Sequence, residues 1–210
     1  MKFLDFNRVL CLSPHPDDVE YSMAGTIIKH QDTHFDILCL TQGGDCDITT
    51  GLERKQECIN AWKESKCNNY KLYFSPCKFL KEKGVDEWVN WIEINFTTKQ
   101  EYDAIMSTSC YDSHFEHIFV QSLTAPLSRV KFYSLIEYKS PSSLETFQPN
   151  LFVSIEDFYY IKTNMLKNFK SQLHRSYFEN RVLEGFHTNF QSLKKGLGFV
   201  EQFKIVQFKH

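Results

Sequence analysis

The sequence has no long hydrophobic run. No apolar stretch approaches the ~20 residues of a membrane-spanning helix, so no membrane span is expected. It also lacks an excess of one charge: the formal net charge over 210 residues is -2. Without a broad basic field, nucleic acid and anionic membrane surfaces are not expected partners. Its seven cysteines, Cys11, Cys39, Cys46, Cys58, Cys67, Cys77 and Cys110, include no Cys-x-x-Cys pair. That argues against a structural zinc knuckle. Their odd number and scatter read as reduced thiols of a cytoplasmic protein, not a disulfide scaffold. The opening residues, Met1 to Arg8, lack the apolar region and cleavage site of a signal peptide. Internal repeats, low-complexity tracts and linkers are missing too. What remains is one globular domain, residues 1–210, with a sizeable core.

Buried-strand candidates recur along the chain: Val9 to Leu12, Phe35 to Leu40, Lys71 to Phe74, Ala104 to Met106, Phe132 to Tyr138 and Leu151 to Ile155. Helical spacing links Val19, Met23, Ala24, Ile27 and Ile28, and then Cys58, Ile59 and Trp62 within 52–65. It recurs from Val85 to Phe96, and Phe158, Ile161, Met165, Phe169 and Leu173 predict one long amphipathic helix. Residues 178–210 are mixed. Strands alternating with helices predict an α/β fold, a Rossmann-like three-layer α/β/α arrangement with a mainly parallel sheet.

Two clusters carry chemistry. Pro14-His15-Pro16-Asp17-Asp18 sits where the first strand gives way to the first helix. In open α/β sheets, ligands bind in the crevice beyond the carboxyl ends of the strands. Taken alone, the cluster also reads as a turn with a helix cap. Asp112 and His114-Phe115-Glu116-His117 follow a later strand. A parallel sheet brings both sets to one edge. There His15, Asp18 and one of the later histidines form a two-His, one-carboxylate site, the ligand set of a catalytic zinc centre with an open position. Asp17 is the candidate general base, and the remaining histidine suits an oxyanion or a departing amine. The same ligands suit Fe(II), as in non-haem oxygenases. A non-catalytic sugar-binding module on the same fold is the third reading.

The two motifs resemble those of the LmbE-like, PIG-L-type zinc-dependent N-deacetylases. Weaker matches follow in the same order: Gly25-Thr26, Thr41-Gln42-Gly43-Gly44, Arg54-x-x-Glu57, Ser171-Gln172 and Glu201-x-Phe203. The resemblance implies that His15, Asp18 and His117 bind one Zn2+ and that Asp17 is the base. It implies that His114 stabilises the oxyanion or acts as acid, and that Arg54 contacts the substrate. The implied activity is removal of an N-acetyl or other small N-acyl group from an amino sugar or glycoconjugate. Three positions depart from the family pattern. Gly44 replaces an acidic residue, with Asp45 beside it. Val19 precedes Glu20, and Phe115-Glu116 stands where Pro-Asp is usual. Specificity is expected from loops 75–86, 107–113 and 139–150.

Overall fold

The structure is a computed structural model describing residues 1–43, 51–129, 131 and 133–209. Gly44, Asp45, Cys46 and Phe132 lie outside the described residues. Five strands are parallel: β1 (Arg8–Ser13), β2 (His34–Cys39), β3 (Tyr70–Phe74), β4 (Ala104–Ser107) and β5 (Ser134–Tyr138). Two more, β6 (Leu151–Ser154) and β7 (Val200–Gln207), complete one seven-stranded sheet in the order β3-β2-β1-β4-β5-β7-β6. β7 runs antiparallel to both of its neighbours. The fold is therefore α/β with a mainly parallel sheet, as the element pattern predicts.

The apolar runs are continuous because both faces of the sheet are covered. Val9 and Cys11 point to one face, Leu10 and Leu12 to the other. The first face is packed by α1 (Asp18–Lys29) and α2 (Gly51–Ser65). The second receives Trp88 and Ile92 of α3 (Val85–Ile92), Val120 of α4 (Phe115–Ser122) and Leu127 of α5 (Thr124–Leu127). α6 (Tyr159–Leu166) returns to the first face through Met165 and Leu166, and α7 (Asn180–Phe186) adds Leu183. α8 (Phe190–Lys194) precedes β7.

Two expectations change. The long helix from Phe158 to Leu173 ends at Leu166, and only single 3-10 turns flank it. The Asn168 side chain donates to the carbonyls of Asn164 and Met165, competing with the next helical turn. The mixed C-terminal stretch contains β7, whose Glu201 is buried instead of exposed. Its carboxylate accepts from the backbone N–H groups of Gly25 and Thr26 in α1 and from Lys162 Nζ. That bonding explains a buried acid in a strand.

The strand order positions the site. From β1 the chain moves outward to β2 and β3, then crosses back to β4 on the other side of β1. The loops after β1 and β4 thus diverge at the switch point, where a crevice opens.

Candidate metal centre and active site

The loop after β1 is held tightly. The hydroxyl of Ser13 donates to the His15 carbonyl at 2.7 Å, and that of Thr41 to the Pro14 carbonyl at 2.8 Å. The Asp17 N–H closes a tight turn over Pro16 onto the His15 carbonyl at 3.0 Å. Asp17 itself adopts φ 156° and ψ -21°, a sparsely populated conformation for a residue with a side chain. This turn sends Asp17 and Asp18 in different directions.

Asp18 faces the histidines. Its Oδ2 lies 3.1 Å from His15 Nδ1, and its Oδ1 lies 3.2 Å from His117 Nε2. The other nitrogen of each ring also faces a carboxylate, that of Glu116 in the cavity lining for His15 and that of Asp112 for His117. His15 Nε2 lies 2.6 Å from Glu116 Oε2, and His117 Nδ1 lies 3.0 Å from Asp112 Oδ2. Asp112 is held in turn by the hydroxyl of Ser140. Each imidazole therefore has one nitrogen fixed by a carboxylate and the other turned toward Asp18. Such outer carboxylates set the ring orientation of metal-ligating histidines.

The donor atoms of His15, Asp18 and His117 all lie within 4.8 Å of one another. Ligands about 2.0–2.1 Å from a tetrahedral ion sit about 3.3 Å apart. The 3.1 Å separation to Asp18 Oδ2 and the 3.2 Å separation to its Oδ1 are close to that edge and are also hydrogen-bond distances. A second grouping, His15, His114 and Glu116, is equally compact. Its 2.6 Å His15–Glu116 separation is that of a hydrogen bond, and His114 Nδ1 already accepts from the Glu116 N–H at 3.3 Å. Both sets could hold a divalent ion, and they share His15.

Electrostatics point the same way. Burial pulls His15 and His117 down, yet the Asp18 carboxylate and the hydrogen-bonded acids outweigh it. His15 is pushed up to about 9 and His117 to about 10. Burial opposes the charge of Asp18 too, but the two imidazoles hold its carboxyl well below the usual range. The pocket attracts positive charge, and a metal cation competes for it by displacing protons.

A PIG-L family model, described as GlcNAc-PI de-N-acetylase, matches residues 10–127, more than half of the chain. The chain belongs to the PIG-L family. Among solved structures, the N,N'-diacetylchitobiose deacetylase of Pyrococcus horikoshii is similar, with a TM-score of 0.70 and 21% identity over 98% of this chain and 85% of that one. The 4-carboxy-2-hydroxymuconate hydratase of Pseudomonas putida has a TM-score of 0.72 and 15% identity over 100% and 98%. An antimicrobial pseudoaglycone deacetylase has a TM-score of 0.74 and 13% identity over 98% and 100%. At these identities the likeness concerns the fold, and a hydratase stands beside deacetylases. None of the curated protein sequences matches.

In this PIG-L chain, Asp17 is turned away from Asp18 toward Arg54. The Arg54 Nη2 donates to Asp17 Oδ1 at 2.6 Å and to the Pro16 carbonyl at 3.2 Å, and Nη1 donates to the Gly43 carbonyl at 2.8 Å. A Cβ on Gly43 would come within 2.5 Å of Arg54 Nη1, and the residue has φ +64°. Only glycine fits there, which accounts for the first glycine of the Thr41-Gln42-Gly43-Gly44 match. Burial pushes the Asp17 carboxyl up, and the Arg54 guanidinium partly offsets that.

His114 caps α4 and stacks on His117 with ring centroids 4.7 Å apart. Its bond from the Glu116 N–H assigns the proton to Nε2 in the neutral ring. Burial, reinforced by the positive charges of His117 and His15, lowers its pKa and keeps it neutral.

These six residues, His15, Asp17, Asp18, Arg54, His114 and His117, line one cavity of about 330 Å³. Of the loops expected to set specificity, 139–150 contributes Pro141 and Ser142 to its lining. Loop 75–86 contributes no described residue, because it follows β3 at the far edge of the sheet. From 107–113, Asp112 acts from behind His117. The sequence reading missed Gln172, Arg175 and Tyr177, which also line the cavity. The only signal for them was the Ser171-Gln172 match.

Proposed function

We propose that this chain is a zinc-dependent N-deacetylase that removes an acetyl or similar small acyl group from an amino sugar or glycoconjugate. The observation that supports this reading is the placement of two adjacent aspartates: Asp18 lies beside His15 and His117, and Asp17 is held by Arg54 on the same cavity floor. The family model is named for a de-N-acetylase, and two similar structures are named as deacetylases of chitobiose and pseudoaglycone compounds.

Zinc held by His15, Asp18 and His117 would supply Lewis acidity toward the acyl carbonyl and shift water toward ionisation near pH ~7. Asp17 takes the proton from the attacking water. The Arg54 bond fixes its Oδ1 and leaves Oδ2 to accept. The neutral His114 donates its Nε2–H to the carbonyl oxygen as negative charge grows there. The proton on Asp17 then passes to the departing nitrogen. Acetate and a free amine are the products. Glu116 and Asp112 hold the two ligand rings throughout.

The test is a screen of N-acetyl and N-formyl amino sugars, with and without a nucleotide, read as freed amine with added zinc. Release of equal amounts of acetate and amine is expected from at least one sugar. Binding by calorimetry without release from any would make the chain a binding module. Iron in anaerobically purified protein, with oxygen uptake, would favour the Fe(II) reading.

A further inference from the structure

We propose that Arg175 determines specificity, by taking an anionic group, a carboxylate or a phosphate, that the substrate carries beside its N-acyl amino sugar. This deepens the reading above and rests on it.

The cavity holds two guanidinium groups. Arg54 is buried, and its Nη atoms are spent on Asp17 and two carbonyls. Arg175 is exposed at the cavity wall, and among the described residues it forms no ion pair with a carboxylate. An exposed arginine is ordinarily a mobile chain, but this one is tethered by a part-buried relay. Both Glu57 carboxylate oxygens accept from Ser171, from its N–H at 2.8 Å and its hydroxyl at 2.6 Å. The Ser171 oxygen accepts from Gln172 Nε2 at 3.0 Å, and Gln172 Oε1 accepts from Arg175 Nε at 3.0 Å. Gln172, the residue that holds Arg175 Nε, is 1% exposed. The backbone is fixed as well: the Arg175 N–H donates to the Gln172 carbonyl, and the Phe178 N–H to the Arg175 carbonyl.

Anchoring at Nε leaves the two terminal nitrogens as a planar fork. That fork matches a carboxylate or phosphate in a bidentate pair, and a pre-organised fork loses less freedom on binding. Tyr177 adds a phenol on the same wall. Burial pushes the phenol up, so it stays a donor. The floor carboxylates Asp18 and Glu116 are engaged by histidines, and Asp17 by Arg54. They leave this fork for an outside anion. Glu57 thereby acquires a purpose: one turn beyond Arg54 on α2, it pins the recognition wall while Arg54 holds the base.

Calorimetry on the zinc-loaded protein tests this with amine products, which cannot turn over: glucosamine, glucosamine 1-phosphate and muramic acid. At low salt the two charged amines should bind at least tenfold tighter than glucosamine. The phosphate and carboxylate arms show which anion is preferred. Arg175→Ala should reduce the preference below threefold, and Arg175→Lys should retain part of it. Arg181→Ala, which removes an arginine 86% exposed on its side chain in α7, should leave the preference unchanged. Thermal melts check that each variant is folded. Equal binding of charged and neutral amines, a preference that survives Arg175→Ala, or no binding of either charged amine would overturn the proposal. An Arg175-dependent preference with no acetate released from any N-acetyl sugar would remove the deacetylase reading and leave the anion site standing.

Discussion

The floor and the wall of the cavity are built on opposite plans. On the floor, each charged group is matched by another within hydrogen-bond distance: Asp18 with two histidines, Glu116 and Asp112 with the outward ring nitrogens, Asp17 with Arg54. On the wall, the relay from Glu57 through Ser171 and Gln172 stops at an arginine whose terminal fork forms no ion pair among the described residues. On the function proposed above, the floor is closed around a small ion and the reacting bond. The wall is fixed but left open. One plan suits chemistry, which needs pre-organised charge. The other suits recognition, which needs donors that only the ligand completes.

Breaking the floor should cost most. Asp18→Asn removes the carboxylate that both imidazoles share. Zinc content should fall below a tenth of an equivalent, and turnover should fall by about 10³-fold or more. Metal analysis beside an amine-release assay reads both, and a variant that kept its zinc would remove Asp18 from the ligand set. One layer out, Asp112→Asn keeps the shape but loses the charge behind His117. Zinc affinity should weaken by about 10- to 100-fold in a chelator competition. An unchanged affinity would mean that the Asp112–His117 bond does not tune the metal.

Loosening the wall should cost less and in a different parameter. Glu57→Gln leaves one acceptor oxygen where Ser171 uses two. KM should rise by about 3- to 10-fold while kcat changes little, since the interaction serves binding alone. A fall in kcat with constant KM would place Glu57 on the floor's side of the comparison.

The smallest effect on turnover should come from a group outside both. His187 is buried against Tyr21 and Tyr159, and its Nδ1 donates to the Leu183 carbonyl. Burial, with Lys162 and Lys139 nearby, holds its pKa well below 6.5. The unfolded chain takes up a proton near pH 6.5 and the folded chain does not. The stability this group contributes is complete above pH 6.5 and is lost as pH falls below it, by up to about 1.4 kcal/mol per pH unit. His187→Gln should therefore lose less stability than the wild type between pH 7 and 5 in urea unfolding. Parallel losses in the two proteins would show that His187 titrates normally.

The floor was more legible in the sequence than the wall, for physical reasons. Strands buried on both faces write themselves as apolar runs, unbroken in the middle of β1 and β4 and interrupted in β2 only by Asp36, which is buried against Arg8 and Tyr102. Motifs placed directly after such strands can be assigned to one sheet edge. The residues behind the ligands were partly visible: Glu116 stood beside His117 in sequence, but the ring it holds is that of His15. The wall left little trace because Gln172, Arg175 and Tyr177 sit in 3-10 turns and the bends between them, without hydrophobic period. β7 was hidden by Glu201, an acid in a core position whose partners lie far away in sequence. Arg54 was expected to meet the substrate. It lines the cavity, but three acceptors of the chain itself already occupy its terminal nitrogens.

The account turns on two adjacent aspartates having separate tasks, so the decisive measurement is made on Asp17→Asn. The variant is purified with zinc, and its metal content and amine release are measured on the best N-acetyl sugar. One zinc per chain, as in the wild type, with turnover reduced by about 10²- to 10⁴-fold is the expected result. Wild-type turnover, or loss of the zinc together with the activity, would contradict the division between base and ligand.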